Sequence, residues 1–589
     1  MPSKKTMPPK QSLPLDSFWQ DEEQYVQSLL KFATSSDLFI NLCGGVHILD
    51  FFISEPDLYT TLLPEQWRDW FDRVDIHGII QVLLHMEIEQ LLSRDPQTWQ
   101  DFPMPPQSLA DYAVTIRRHC LSRTFAPPPS PKPESTTTVQ RLTVGMKPKK
   151  IHEVRHFAAY INQLRSVVAE VTGQPVDGVV DFGSGQNYLG RVLASHPYDL
   201  DVIAVERSHQ NTAGAKSMDI HARLSEKELI MRNKKEYRRE RSFGQVQGAM
   251  GHHALATVPA KDGQQGDAVS TKGSIRYVEH EIESGCLDKI LHSQLSSDKN
   301  SKALSPMVIS LHSCGNLSHH GLRTLTPSLN PTISAVALVG CCYNLVGQRS
   351  KSVTYKHPTL LRHLHPTLSA TRLADDPKGF PMSERLAQYR HRNGETGISF
   401  NITARMMAVQ APYNWGKDDC DLFFTRHYYR ALLQKVLVDM GIIKQPMEDG
   451  HPAVKEKTQI GTTLTLGSLP RSAYHSFPAY GETAVRKLMR SCQLENLAKA
   501  RLTLLTRDVF LNYDQHLAVR RKQLAIIWTL MAFSSSVVEN VFVVDRYLWL
   551  KEQVGWIGKC WVETVFDYAV SPRNLVVVGI RNQNLSKLD

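Results

Sequence analysis

The sequence predicts an α/β fold built on a parallel sheet, with helical segments before and after it. Three observations lead there. "VVDFGSGQNYLGRVLA", residues 179–194, runs from a short β-branched stretch through a glycine turn into apolar residues at helical spacing. "DVIAVERS" then supplies a second strand of the buried type. "SPMVISLHSCG" and "ISAVALVGCCYNL" read as later strands of the same sheet, each ending in small or polar residues. Strand, glycine turn, helix, strand is the opening of a parallel α/β unit, and in such units ligands gather at the carboxyl ends of the strands.

Composition sets the frame around that unit. At 589 residues the chain is several times a usual domain of about 100–150 residues, so more than one structural unit is expected. A hydrophobic share of 42% with 21% charged residues excludes a disordered chain. The net charge of +10 suits a polyanionic partner such as RNA without demanding one. Nine cysteines, an odd number without a paired C-x-x-C framework, fit a reducing compartment rather than a disulfide-stapled secreted domain. "MPSKKTMPPKQSLPL" is basic with no apolar stretch behind it, and no apolar run reaches the length of about 18 residues that spans a bilayer. The expectation is an intracellular protein, cytoplasmic or nuclear, with no membrane partner.

Taken in order, residues 1–14 are expected to be a disordered N-terminus and 15–125 an α-helical module, from the three- and four-residue apolar spacings of "FWQDEEQYVQSLLKFA" and "DIHGIIQVLLHMEIEQLL". The Pro/Ser/Thr-rich stretch 126–140, with "APPPSPKPESTTT", cannot bury a core and is predicted to be an extended linker. The α/β core follows over 141–410. It opens with a helix carrying Ile151, Val154, Ala158, Ile161, Leu164, Val168 and Val171 and stopped by Gly173 and Pro175. A flexible insertion is expected over 226–304. Its first part, "EKELIMRNKKEYRRERSF", holds seven basic and four acidic residues, a solvated excursion or an RNA-binding or import element. Residues 411–589 read as a helical C-terminal part that closes with "SPRNLVVVGI", a final core strand.

The glycine turn carries the first chemical reading. Two glycines after an acidic strand residue let the backbone approach a ligand closely and turn the next helix's N–H groups toward it. The dinucleotide fingerprint needs a glycine where this chain has Tyr188, and no G-K-[ST] follows as a P-loop would require. What remains is Asp181, Gly183 and Gly185, then Glu206 at the end of the next strand, whose carboxylate can accept from both ribose hydroxyls. That arrangement suits S-adenosylmethionine, which has no pyrophosphate to accommodate. Ser184, Gln186 and Asn187, within the turn, complete the expected cofactor-binding set; a purely structural turn is the alternative.

Beyond these residues the chain resembles the methyltransferase-like protein 25 family, which includes proteins described as ribosomal RNA adenine dimethylase domain-containing. "MKPKKIHEVRHFAAYI", "VVDFGSGQNYLGRVLA", "VIAVERS", "LHSCGNLS", "VGCCYNL", "GFPMS", "ENVFVVDRYLWLKE" and "VFDYAVSPRNL" follow in that family's order, and "LLPEQWRDW" resembles its N-terminal helical region. The core is also similar to tRNA 2'-O-methyltransferases carrying an H-x-C-G and a later C-C pair. The resemblance implies a Rossmann-like class I S-adenosylmethionine-dependent methyltransferase domain with helical additions at both ends. At Asn316 the chain departs from the C-G-D common in such proteins. An amide can orient a nucleophile but cannot take its proton at neutral pH.

Methyl transfer is an in-line displacement from a sulfonium, so the protein chiefly aligns the reactants and removes a proton where the nucleophile requires it. The residues expected to face the methyl group are His312, Cys314 and Asn316 from one strand end and Cys341, Cys342, Tyr343 and Asn344 from the next. His312 is the titratable candidate for a base; a hydrogen-bonded core histidine is the alternative. Tyr343 either stacks on a base or caps the core. His312 and the three cysteines invite a zinc reading, which is set aside because adjacent cysteines on a strand point to opposite faces; no metal is expected. Lys149, Lys150 and His152 either touch the cofactor carboxylate or an RNA phosphate, or form a solvated helix start. The acceptor is expected to be RNA, with a protein side chain, or a methyltransferase fold used only for binding, as alternatives.

Overall fold

A computed structural model describes residues 7–127, 141–222, 224, 273–287, 290, 305–349, 376–443, 464, 466–490, 494 and 496–582. Its centre is a seven-stranded sheet of order β3-β2-β1-β4-β5-β7-β6. The strands are β1 (Gly178–Phe182), β2 (Asp201–Glu206), β3 (Ile275–Glu279), β4 (Met307–Ser313), β5 (Ala335–Gly340), β6 (Ile557–Thr564) and β7 (Leu575–Arg581). The first five run parallel, while β7 lies antiparallel to both β5 and β6. This is the Rossmann-like architecture that the glycine turn and its flanking strands predict.

The predicted opening helix is Pro148–Thr172, starting with proline in its first turn and ending at Gly173 in the left-handed conformation. Its apolar stripe, including Val154, Phe157, Ala158, Ile161, Leu164 and Val168, packs with Val179, Val202, Ile309 and Val578 on one face of the sheet. Side chains alternate along a strand, so Val180 and Phe182 point to the other face. There they join Val308, Leu338 and the helices Arg520–Ser534 and Ser536–Glu552.

That second core corrects the predicted modularity. The N-terminal segment is helical as expected, with elements such as Glu22–Ser35 and Gln107–Arg118, but its apolar residues are continuous with the C-terminal helices in one core. Tyr112 shares a 2.7 Å hydroxyl contact with Ser534, and Leu121 donates its amide to Asn540 Oδ1 at 2.9 Å. Nor are residues 7–14 a free tail: Leu13 is buried, and the Ser12 carbonyl accepts from the Val562 amide of β6. Residues 1–6, most of the predicted linker (128–140) and most of the predicted insertion (226–272, 288–289 and 291–304) lie outside the described residues. The rest of that insertion holds β3, an edge strand paired with β2 from Val202↔Ile275 to Glu206↔Glu279. β6 also escapes sequence reading, because only its second half is buried and its apolar run is no longer than Cys560–Val562.

One helical stretch among the described residues, Arg520–Glu552, is long and apolar enough to cross a membrane by length and composition, contrary to the sequence expectation. In this fold 94% of its apolar window is buried inside the protein, in the core on the second face of the sheet.

Charges inside that core are matched. Glu539 takes Arg123 from the end of the N-terminal segment at 2.9 Å and Arg573 of the "SPRN" stretch at 2.5 Å, and it accepts from Tyr343 Oη at 3.3 Å. Burial alone would raise the Glu539 pKa, but the two guanidinium groups outweigh it and hold it below the ordinary value. Asp545, one helical turn and a half further on, accepts from the Met382 and Ser383 amides and the Ser383 hydroxyl at 2.7–2.9 Å. Removing one member of a buried ion cluster strands the others, at about 3–5 kcal/mol. Glu539→Gln is therefore expected to lower the urea-unfolding stability by that amount, and an unchanged midpoint would show that the cluster does not hold the segments together.

Candidate functional site

The site is built at the carboxyl ends of β1, β2, β4 and β5. After Phe182 the chain turns through Gly183 (φ 67°) and Gly185 (φ 58°), both in the left-handed region that favours glycine. The amides of Gly183 and Ser184 both donate to the Val205 carbonyl, at 3.0 and 3.1 Å, which lays the turn across the end of β2. Gly185 donates its N–H to Glu206 Oε2 at 2.9 Å, and Glu206 Oε1 accepts from the Ser208 amide at 2.8 Å. The predicted pairing of the turn with the acid of the second strand is thus present. Nothing lies within 4 Å of where a side chain at 185 would begin, and the buried Ser184 hydroxyl oxygen has no partner. An open cradle lined by backbone, one carboxylate and one unsatisfied hydroxyl fits a nucleoside with ribose hydroxyls to donate and accept.

Asp181 stands two residues before the turn, 3% exposed and on the face of β1 turned toward helix Pro148–Thr172. Burial pushes its carboxyl up to about 8, with Lys150 pulling down and Glu206 adding to the rise. Two members of the expected cofactor set have other work. Asn187 is fully buried, donates to Tyr277 Oη at 3.0 Å and lies against Gly190, where any side chain would collide with it. Tyr277 in turn donates to Asp219, which pairs with the buried Arg191 at 2.9 Å. Asn187 therefore pins the turn from behind instead of facing the cradle. Gln186 accepts from Tyr188 Oη at 3.0 Å at the turn's outer side.

On β4 a register shift between Ser310 and Ser313 breaks the side-chain alternation. Leu311 packs under helix Pro148–Thr172, and the next residue, His312, reaches that same helix. Its Nε2 lies 2.7 Å from Lys150 Nζ and 3.0 Å from Glu153 Oε2, and Lys150 and Glu153 pair at 2.8 Å. Glu153 is 1% exposed, and its other oxygen accepts from Ser571 Oγ at 2.8 Å. Burial resists its ionisation, but His312 and Lys150 overcome that and bring the carboxyl down to about 2. Sequence reading missed Glu153 and Ser571. The available signal was the spacing of Lys150 and Glu153, three apart on one helix face.

Lys150 is thus an internal partner of the site, while Lys149 stands 3.8 Å from Glu153 with its own side chain largely exposed. His152 turns away, accepting from the Asp567 amide at 3.1 Å. Asn316 does not face a nucleophile. It accepts from the Gly347 amide at 2.9 Å and donates to Asp376, tying the β4 loop to the chain after β5. Tyr343 resolves as a core residue: it is 2% exposed, stacked on Phe542 at 5.2 Å and flanked by Arg546 and Arg573. No base can stack on a ring so enclosed. Asn344 sits beside it in the short turn Tyr343–Leu345.

The cysteines overturn the argument from strand alternation. β5 ends at Gly340, so Cys341 and Cys342 lie past the strand, where the backbone bends and alternation no longer applies. Their sulfurs and that of Cys314 converge, with Cys314 Sγ 3.2 Å from Cys341 Sγ and 3.3 Å from Cys342 Sγ.

Comparison with known proteins agrees with this geometry. Residues 149–349 match a protein family described as "Methyltransferase domain", a span that begins on the helix of Lys150 and Glu153 and ends just past the cysteines. Over 511 residues, 74% of this chain and 76% of the relative, the chain is 22% identical to probable methyltransferase-like protein 25 of Mus musculus. Over 280 residues, 47% of this chain, it is 25% identical to the Homo sapiens protein of the same name, and that match spans 37% of the relative's length. No solved structure matches significantly. The family resemblance read from the motifs is borne out.

The Glu153 pairing has a definite pH signature. A carboxyl lowered from 4.5 to about 2 on folding contributes stability in full above pH 4.5 and loses it as the pH falls toward 2. The size is on the order of 3 kcal/mol. The stability gap between wild type and Glu153→Gln, from denaturant titrations, is expected to close between pH 4.5 and 2. A gap that is constant across this range would mean the carboxylate charge is not what matters.

Proposed function

Because residues 149–349 are a methyltransferase domain, we propose that this protein transfers the methyl group of S-adenosylmethionine to RNA. The observation that carries the reading is the open cradle over Gly185, closed on one side by Glu206 and adjoining the strand end that bears His312. The backbone of Gly183 to Gly185, the Ser184 hydroxyl and the carboxylates of Glu206 and Asp181 are the groups that would hold the cofactor. When bound, it supplies a methyl group on a sulfonium, which departs as a neutral thioether.

The chain's own contribution is alignment and a place for one proton. With Nε2 of His312 turned into the Lys150–Glu153 pair, Nδ1 is the ring nitrogen left to meet an acceptor. Glu153, held ionised, stabilises the imidazolium formed when Nδ1 takes the acceptor's proton, and its pairing with Lys150 keeps the carboxylate charged and in place. Tyr343 and Asn316 act on the scaffold, the first inside the core and the second between two loops. For RNA as acceptor the support is the net charge of +10 and the exposed Lys149 beside the site.

The test uses the full chain with labelled S-adenosylmethionine and total RNA or protein extract. Gly185→Val should weaken cofactor binding at least about tenfold by calorimetry, because a side chain would occupy the cradle and strain the positive φ. His312→Ala should keep binding while losing transfer by about 10²–10⁴. Equal binding by wild type and Gly185→Val would move the cofactor elsewhere. Label in protein in place of RNA would make a protein the acceptor, and cofactor binding without transfer to either would make the fold a binding module.

A further inference from the structure

Among the described residues one group of three metal-ligating side chains lies within reach of a single ion: Cys314, Cys341 and Cys342. Two neighbouring strand ends bring it about. β4 and β5 are paired through Ser313↔Gly340, so the next residues, Cys314 and Cys341, leave the sheet side by side. The Cys341 amide still donates to the Ser313 carbonyl at 3.4 Å. The backbone then bends at Cys342 (φ −90°, ψ 76°) into the turn Tyr343–Leu345 and brings a third thiol back toward the first two. On the other side, Gly315 (φ 55°) lets the β4 loop pass the Leu345 carbonyl, which would stand 2.6 Å from any Cβ there.

The resulting Sγ separations are 3.2, 3.3 and 3.7 Å. They are too long for any disulfide, whose sulfurs are about 2.05 Å apart. Two ligands of a tetrahedral zinc ion with Zn–S of about 2.3 Å stand about 3.8 Å apart; the Cys341–Cys342 pair matches this, and the two pairs with Cys314 need to open by about half an ångström. Packing does not account for the trio, since Cys314 is exposed and the other two are only half-buried. Thiols are weak hydrogen-bond partners, so three in mutual contact at a surface gain little from one another.

We propose that Cys314, Cys341 and Cys342 bind one thiophilic divalent metal ion, zinc, at the carboxyl ends of β4 and β5. Three thiols each give up a proton to solvent and form three metal–sulfur bonds. The fourth position remains for a water or an acceptor atom, as in zinc sites with three protein ligands. The inference does not rest on the cofactor or the acceptor, because metal loading is read without either.

The experiment takes the full chain purified under reductant without chelator and measures its metal content, then strips it and titrates it with zinc and with cobalt(II). One zinc per chain and an intense thiolate-to-cobalt charge-transfer band are expected. Cys314→Ser and Cys342→Ser should each lose the band and retain at least about tenfold less zinc, while Cys286→Ser, at an exposed cysteine outside the trio, keeps both. As a readout independent of variant folding, bound zinc should protect 314, 341 and 342, but not 286, from alkylation in the wild-type chain. Absence of zinc from the wild type, equal loading of the trio variants, or a 341–342 disulfide in place of the metal would each overturn the proposal.

Discussion

A single buried carboxylate, Glu539, is the constraint on which the rest of the molecule depends. It sits on helix Ser536–Glu552, within the long apolar stretch Arg520–Glu552, and gathers Arg123, Arg573 and Tyr343 around it. A charge there is tolerable only while its partners stay in place, since an isolated buried ion costs far more than a lost contact. The N-terminal segment, the loop between β6 and β7 and the chain just beyond β5 are therefore fixed relative to one another. Tyr343 immediately follows Cys341 and Cys342, so the geometry of the thiols is inherited from this cluster.

The parts of the site visible in the sequence are those whose backbone demands a residue type. Gly183 and Gly185 hold positive φ values that favour glycine, and Asp181 and Glu206 follow from where the strands must end. Side chains recruited from far away leave no such trace. Glu153 meets His312 across 159 positions, and its spacing from Lys150 is the same as that of any solvated helix pair. The register shift on β4 that turns His312 toward it carries no composition signal. Tyr343 and the two cysteines before it were ambiguous because a strand's end, unlike its middle, does not dictate where side chains point. β3 was lost for a related reason: it is an edge strand lying among polar sequence.

Asn316 shows how a departure from a common pattern can be matched locally. Its amide donates to the Asp376 carboxylate while its oxygen takes the Gly347 amide. An aspartate in its place would set two carboxylates against each other and remove a donor. The asparagine and Asp376 belong together.

The antiparallel strand β7 has a consequence for how the protein comes into being. β5 completes the parallel part of the sheet just past the middle of the chain, but its other edge is filled by residues that pair Ala335 with Ile580. Every helix from Lys417–Asp439 to Ser536–Glu552 is synthesised in between. Until the last strands leave the ribosome, the nascent chain carries an apolar strand edge with nothing to pair it, together with the uncovered half of a core. Contacts of such sequence separation form slowly. The sheet is thus complete only once residues 557–581 have joined it, and any chain lacking them exposes the edge of β5.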